Sequence, residues 1–232
     1  MTKKALYVVF LFMFCFQVYS QSKNDSLYVN FRLEFNKLPL ELNKKYISTN
    51  KDTLTIETFK CYISNIQVQY SDKSVFIPKN SYHLLDSNNP ASFEIPVTKK
   101  GNKMISRITF DIGIDSLTNT SGALSGALDP VNGMYWTWQS GYINMKIEGS
   151  SPSCKTRKNE FQFHIGGYLQ PNYALQQIKL EWDKKADSDI NIAIDLNSFF
   201  SNLELRETNS VMNPGKEAMK LAGFATKMFY VR

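Results

Sequence analysis

The chain has 232 residues, a formal charge of +6, 43% hydrophobic side chains and two histidines. That length and composition suffice for one large core. The lysines fall in scattered pairs such as Lys44/Lys45, Lys99/Lys100 and Lys184/Lys185, with no basic stripe interleaved with aromatics, which argues against a nucleic-acid partner.

Residues 1–20 read as an export signal: Lys3 and Lys4 precede an apolar run over 5–19, and the small Ser20 closes it. Cleavage is expected after Ser20. The run is about fifteen residues, short of the roughly twenty that span a bilayer, and no other stretch is continuously apolar, so no transmembrane segment is expected. Cys15 follows Phe14 rather than a small residue, against a lipid anchor. Export predicts a periplasmic or extracellular setting, and loss of Lys3 and Lys4 leaves 25 basic against 21 acidic side chains. Residues 21–232 show no linker and no fixed-period repeat, and read as a single domain.

Strands dominate the exported chain. Between 27 and 35, Leu27, Val29, Phe31, Leu33 and Phe35 alternate with Tyr28, Asn30, Arg32 and Glu34, the pattern of a strand with one buried face. Period-two patterns recur at Ile66, Val68, Tyr70; at Ile108, Phe110, Ile112; at Ile143, Met145, Ile147; at Ile178, Leu180, Trp182; and at Ile190, Ile192, Ile194, Leu196. Shorter strands are expected over 75–77, 82–85, 93–97 and 160–165, separated by turn clusters such as Ser71-Asp72-Lys73 and Ser87-Asn88-Asn89-Pro90. Many short strands with few helices between them predict an all-β fold, an antiparallel β-sandwich. A short C-terminal helix is expected after Asn213-Pro214, carrying Ala218, Leu221, Ala222 and Ala225 on one stripe, and a single helical turn near 197–203.

These strands place the scarce imidazoles. Over 160–165, Phe161, Phe163 and Ile165 share one face, so Gln162 and His164 share the other, out of phase with the core. His83 shares a face with Leu85, and its pattern decides nothing. If 134–138 is extended, Met134, Trp136 and Trp138 project together and lie opposite Ile143, Met145 and Ile147, unless Gly141 carries a bulge. Large aromatics most often pack, so plugging an end of the sandwich stands beside a functional role for the indoles. Cys61 and Cys154 remain after export; a bridge between them would close a loop of about 94 residues, and two buried free thiols are the alternative.

The stretches FKCYISNIQV (59–68), YHLLD (82–86), ITFDIGIDS (108–116), GALDPVNGMYWTWQSGY (126–142), FHIGG (163–167) and IAIDLNSFF (192–200) run in order over nearly the whole exported chain. Together they resemble the MbnP-like family of exported, copper-associated proteins, also called the metallo-mystery pair. The resemblance implies a single β-rich domain and copper binding outside the cytoplasm, in some members with a tryptophan oxidised to kynurenine by a partner di-haem peroxidase. It does not imply an enzyme.

Copper chemistry suits the residues: imidazole serves both oxidation states and thioether serves copper(I). Two strands brought together would let His83 and His164 share copper, with a third contact from Met134 or from an oxidised Trp136 or Trp138. The expected function is acquisition, storage or delivery of copper. The alternative is a non-metal module in which the Trp136/Trp138 face binds a carbohydrate or a protein. A minor alternative is calcium held by Asp111, Asp115, Asn119 and Asp129, whose spacing matches no EF-hand. No nucleophile elbow, GxGxxG or P-loop points to an enzyme.

Overall fold

The computed structural model describes residues 25–79, 82–139 and 141–232, so the expected export signal at 1–20 lies outside the described residues. In chain order the first strands are β1 (Ser26–Phe35), β2 (Leu38–Pro39), β3 (Lys45–Ile47), β4 (Thr53–Tyr70), β5 (Val75–Phe76), β6 (Tyr82–Asp86), β7 (Glu94–Lys99), β8 (Met104–Ile112) and β9 (Tyr135–Trp136). They continue as β10 (Gly141–Ser150), β11 (Glu160–Gly166), β12 (Tyr168–Leu169), β13 (Asn172–Tyr173), β14 (Gln176–Lys185), β15 (Ile190–Asp195), β16 (Ser210–Val211) and β17 (Phe229–Val231). The helices are α1 (Ser116–Thr120), α2 (Leu196–Phe200) and α3 (Lys216–Ala225).

Two sheets face each other, as the alternation predicts. The smaller runs β17-β15-β1, with β2 and β7 sharing the far edge of β1. The larger runs β14-β8-β4-β10-β11-β16, with β3, β5 and β6 along the other edge of β4. Most pairs are antiparallel; β1 with β15 and β11 with β16 are parallel, so the sandwich is mixed where a purely antiparallel one was expected. The parallel β1/β15 pair joins distant parts of the chain, and strand periodicity carries no information about that direction.

The core lies between the sheets. Leu27, Val29 and Phe31 of β1 meet Phe59, Cys61 and Ile63 of β4 and Phe161, Phe163 and Ile165 of β11 in one buried cluster. The Phe31 ring stands edge-on to Phe110 of the opposite sheet at 5.5 Å, and Phe110 meets Phe229 at 5.3 Å, a geometry that adds to the ~1.5–3 kcal/mol of burying each such side chain. Helix α3 lies on β11 and buries Ala218, Leu221, Ala222 and Ala225, the stripe read from the sequence; its cap is Gly215, just past the expected Asn213-Pro214.

The cysteines are two separate buried thiols, not a disulfide. Cys61 pairs with Met145, whereas Cys154 follows the end of β10, where Ser150 pairs with Thr55. Six residues of extended strand separate these positions along β4, about 20 Å, several times the reach of a disulfide. No helix among the described residues is long and apolar enough to cross a membrane.

Candidate functional site

Part of the outer face of the larger sheet is also buried, by the chain between β8 and β10. Tyr62, Ile114, Leu128, Met134, Trp136, Tyr142 and Ile143 form a second apolar cluster there. Hydrogen bonds from the sheet hold that covering chain. Tyr62 donates its hydroxyl to the Ala127 carbonyl at 2.9 Å and Tyr142 donates to the Leu128 carbonyl at 3.0 Å. Lys60 and Lys146 donate to the Asn132 and Gly133 carbonyls at 3.0 and 2.6 Å.

The LDPVNG stretch folds as its composition dictates. Asp129 accepts from the Val131 amide at 2.9 Å, Pro130 opens a 3-10 turn, and Gly133 closes it at φ +69°, a left-handed conformation that favours glycine. The chain then enters β9, where Trp136 pairs with Gly141 and Tyr135 with Tyr142.

His164 sits in a cross-strand row on this outer face. It pairs with Lys146 of β10, Lys146 pairs with Lys60 of β4, and Lys60 pairs with Asp86 of β6. Its own strand sends Phe161, Phe163 and Ile165 inward, as their spacing predicts. His164 is nonetheless only 8% exposed, because the covering chain makes a second layer over a face that strand alternation alone leaves wet.

His164 Nε2 lies 2.6 Å from Glu148 Oε1. That hydrogen bond is the main reason the Glu148 carboxyl is held below its ordinary range; burial opposes it and the neighbouring Lys146 adds to it. Burial pulls the Lys146 ammonium below its usual value.

Next to this row is a pocket of about 470 Å³ lined by Trp136, Trp138, Lys146, His164, Met212 and Asn213, among others. Trp136 is 6% exposed and Trp138 64%, their rings 6.1 Å apart and tilted by 51°. The close approach of Trp136 explains the first glycine of FHIGG: a Cβ on Gly166 would stand 2.7 Å from the Tyr142 carbonyl oxygen and 2.8 Å from the indole.

The sequence-predicted residues divide. His164, Trp136 and Trp138 come together at this pocket. His83 does not join them: it lies on β6 opposite Ile63, on the inter-sheet side with Leu85, and β4 and β10 stand between β6 and β11. Three strand spacings, ~14 Å, and opposite faces of one sheet separate the two imidazoles, so the expected shared His83/His164 pair is not formed. Met134 is fully buried in the second cluster, paired by its carbonyl with the Ile143 amide at 2.9 Å. Trp138 leaves the extended phase with Met134 and Trp136, since the strand stops at Trp136 and turns.

The four oxygens considered for calcium serve local folding. Asp115 caps α1 and accepts from Tyr82, Asp129 caps its turn, Asn119 accepts from the Tyr142 amide at 2.8 Å, and Asp111 accepts from Asn65 and Gln177. Among the described residues no three His, Cys, Asp or Glu side chains gather as a metal-holding group. Sequence reading missed Met212 and Glu148. Glu148 sits two residues from Lys146 on the same face of β10, a signal available only once β10 and β11 are paired.

Fold and site define a two-sheet β protein with a histidine–tryptophan pocket on the outer face of its larger sheet. The sequence profile of the MbnP family matches residues 24–213, and the chain belongs to that family. The solved structure of MbnP from Methylosinus trichosporium is similar in fold, with a TM-score of 0.59 at 13% identity, covering 85% of this chain and 88% of that one. No curated protein sequence matches.

Proposed function

We propose that this is an exported, non-catalytic copper-binding protein that acquires, stores or delivers the metal through the pocket at His164. The observation that carries this reading is a buried imidazole, oriented by a carboxylate 2.6 Å from Nε2 and facing a pocket walled by two indoles. A carboxylate that accepts from one ring nitrogen fixes the tautomer and leaves the lone pair on the other, the usual arrangement behind a metal-ligating histidine. The donor chemistry fits copper. Imidazole suits either oxidation state, and hard-cation ligation by clustered carboxylates is not what this pocket offers. His164 holds the ion, Glu148 keeps the ring in place, and Trp136 shields the site from water. Family membership supports the copper assignment and a di-haem peroxidase as the partner that acts on Trp136 or Trp138.

Isolation from the native host tests this directly. Protein recovered from the periplasm or medium is expected to begin at Gln21 and to carry copper, and its intact mass reads out any oxidation of an indole. Metal-free protein retained in the cytoplasm would contradict the proposal.

A second reading rests on the 64% exposure of Trp138. An open indole at a pocket mouth suits a carbohydrate or protein partner. Under that reading Trp138→Ala abolishes partner binding and leaves copper affinity unchanged.

A further inference from the structure

We infer that a second pocket, at the edge of the smaller sheet, binds an organic monocarboxylate with an apolar body, its carboxylate held by Arg32 and Arg232.

The pocket exists because the ladder along one edge of β1 is interrupted. Strand β7 pairs with β1 only as far as Asn30 with Glu94, and β2 takes up the same edge at Glu34 with Pro39. Between them, Phe31 to Leu33 have no strand beside them on that edge; the Leu40 amide donates to the Leu33 carbonyl at 3.0 Å. A cavity of about 390 Å³ opens against this gap, within the size range of small-ligand sites. Pro39 and Leu40 wall it on one side. Pro90 and Phe93, from the 3-10 turn before β7, wall it on the other. Both prolines have a fixed φ, which favours a cavity formed before any ligand arrives.

The polar end is built on a buried acid. Glu34 lines the cavity with its side chain 1% exposed, accepts from the Tyr230 hydroxyl and pairs with Arg232. A guanidinium carries its donors in a rigid fork, so a carboxylate that holds one part of it also aims the rest. Arg232 remains half-exposed and lines the cavity. Arg32 lines it too, on the same face of β1 as Glu34 and two residues away. Arg32 is exposed and has no ion-pair partner among the described residues.

The side chains of Arg32, Arg232 and Glu34 together carry one net positive charge, which matches a single carboxylate. Guanidinium and carboxylate meet in two parallel hydrogen bonds. Leu40, Pro90 and Phe93 favour an apolar body behind that carboxylate, because a second charged group would be desolvated against them without a partner. Strands β1 and β11 belong to different sheets, so this pocket is separate from the one at His164 and does not depend on the copper reading.

Hexanoate titrated into metal-free protein with ¹⁵N-labelled arginine tests the assignment, read on the Nε–Hε signals of Arg32 and Arg232. Both signals are expected to shift saturably with hexanoate, and to stay in place with hexan-1-ol or with inorganic phosphate at matched ionic strength. This measurement needs no variant to fold. Arg32→Gln, at an exposed position, is expected to weaken hexanoate about tenfold, the low end for a hydrogen bond to a charged group, with the melting temperature unchanged. Arg232 is left in place because its loss would strand Glu34 buried and unpaired. An equal response to hexan-1-ol would mean an apolar cleft, and an equal response to phosphate an unselective anion site. Either result overturns the inference, as does the lack of a saturable shift or an Arg32→Gln variant that binds hexanoate as wild type does.

Discussion

Glu148 and His164 face each other diagonally across β10 and β11: Glu148 pairs in register with Gln162 and His164 with Lys146, yet Oε1 and Nε2 are 2.6 Å apart. Diagonal contacts of this kind lie within reach of long side chains, and this one sets the orientation of the imidazole. Glu148→Gln keeps the shape but loses the charge that fixes the ring. Copper affinity is expected to fall about 10–100-fold, with little change in the melting temperature of the metal-free protein. Competition titration of the variant checks it.

Gly166 ties the histidine strand to the indole above it. With a Cβ placed 2.7 Å from the Tyr142 carbonyl oxygen and 2.8 Å from Trp136, Gly166→Ala must push strand or ring aside. A destabilisation of about 1–3 kcal/mol is expected, the usual range for overpacking. The emission of Trp136 should shift red as water reaches it. Urea denaturation followed by fluorescence reads both.

Asp115 anchors the covering chain by capping α1 through the Thr118 amide at 2.9 Å and accepting the Tyr82 hydroxyl at 2.5 Å. Burial alone raises its carboxyl, but the hydrogen bonds from Tyr82 and Thr118 together outweigh it and hold the group below the ordinary carboxylate value. A depressed folded-state value means the contribution is fully present above the ordinary value of 3.8 and is lost as pH falls through the folded one. Asp115→Ala is expected to cost about 0.5–2 kcal/mol at neutral pH, with the gap to wild type closing in acid. Denaturant midpoints measured across that acid range test the sign.

The thiols give a chemical check on the fold. Burial pushes Cys154 up to about 11 and raises Cys61 further, so neither carries an appreciable thiolate near neutral pH. Intact protein is expected to resist alkylation at pH 8 and to take up two labels after unfolding without reductant. A mass two units lower, inert to alkylation until reduced, would show a bridge instead.

Much of this architecture was readable from periodicity. The alternation of Leu27 to Phe31 and the inward phase of Phe161, Phe163 and Ile165 emerged as written, because a half-buried strand has no other way to place its apolar side chains; at the end of β1 it breaks, since Glu34, expected on the wet face, is fully buried beside Tyr230 and Arg232. The LDPVNG turn was readable too, since Asp129, Pro130 and Gly133 each meet a local backbone requirement. What escaped was non-local. The wet face expected for His164 is covered by a loop whose docking depends on Tyr62, Tyr142, Lys60 and Lys146, residues far from it in sequence or on the sheet beneath. Spacing set His164 out of phase with the core and left His83 undecided, and only the pairing order β6-β4-β10-β11 shows that the two expected partners lie on opposite faces. Met212 lies between elements with no periodic pattern around it, and only the parallel register of β16 on β11 brings it to the pocket.

The claim that one imidazole, His164, organises the site is tested most directly by copper(I) competition titration of His83→Ala and His164→Ala beside wild type. His83→Ala is expected to bind copper as wild type does, and His164→Ala to lose it. Retention by His164→Ala, or loss in a folded His83→Ala, would contradict the assignment.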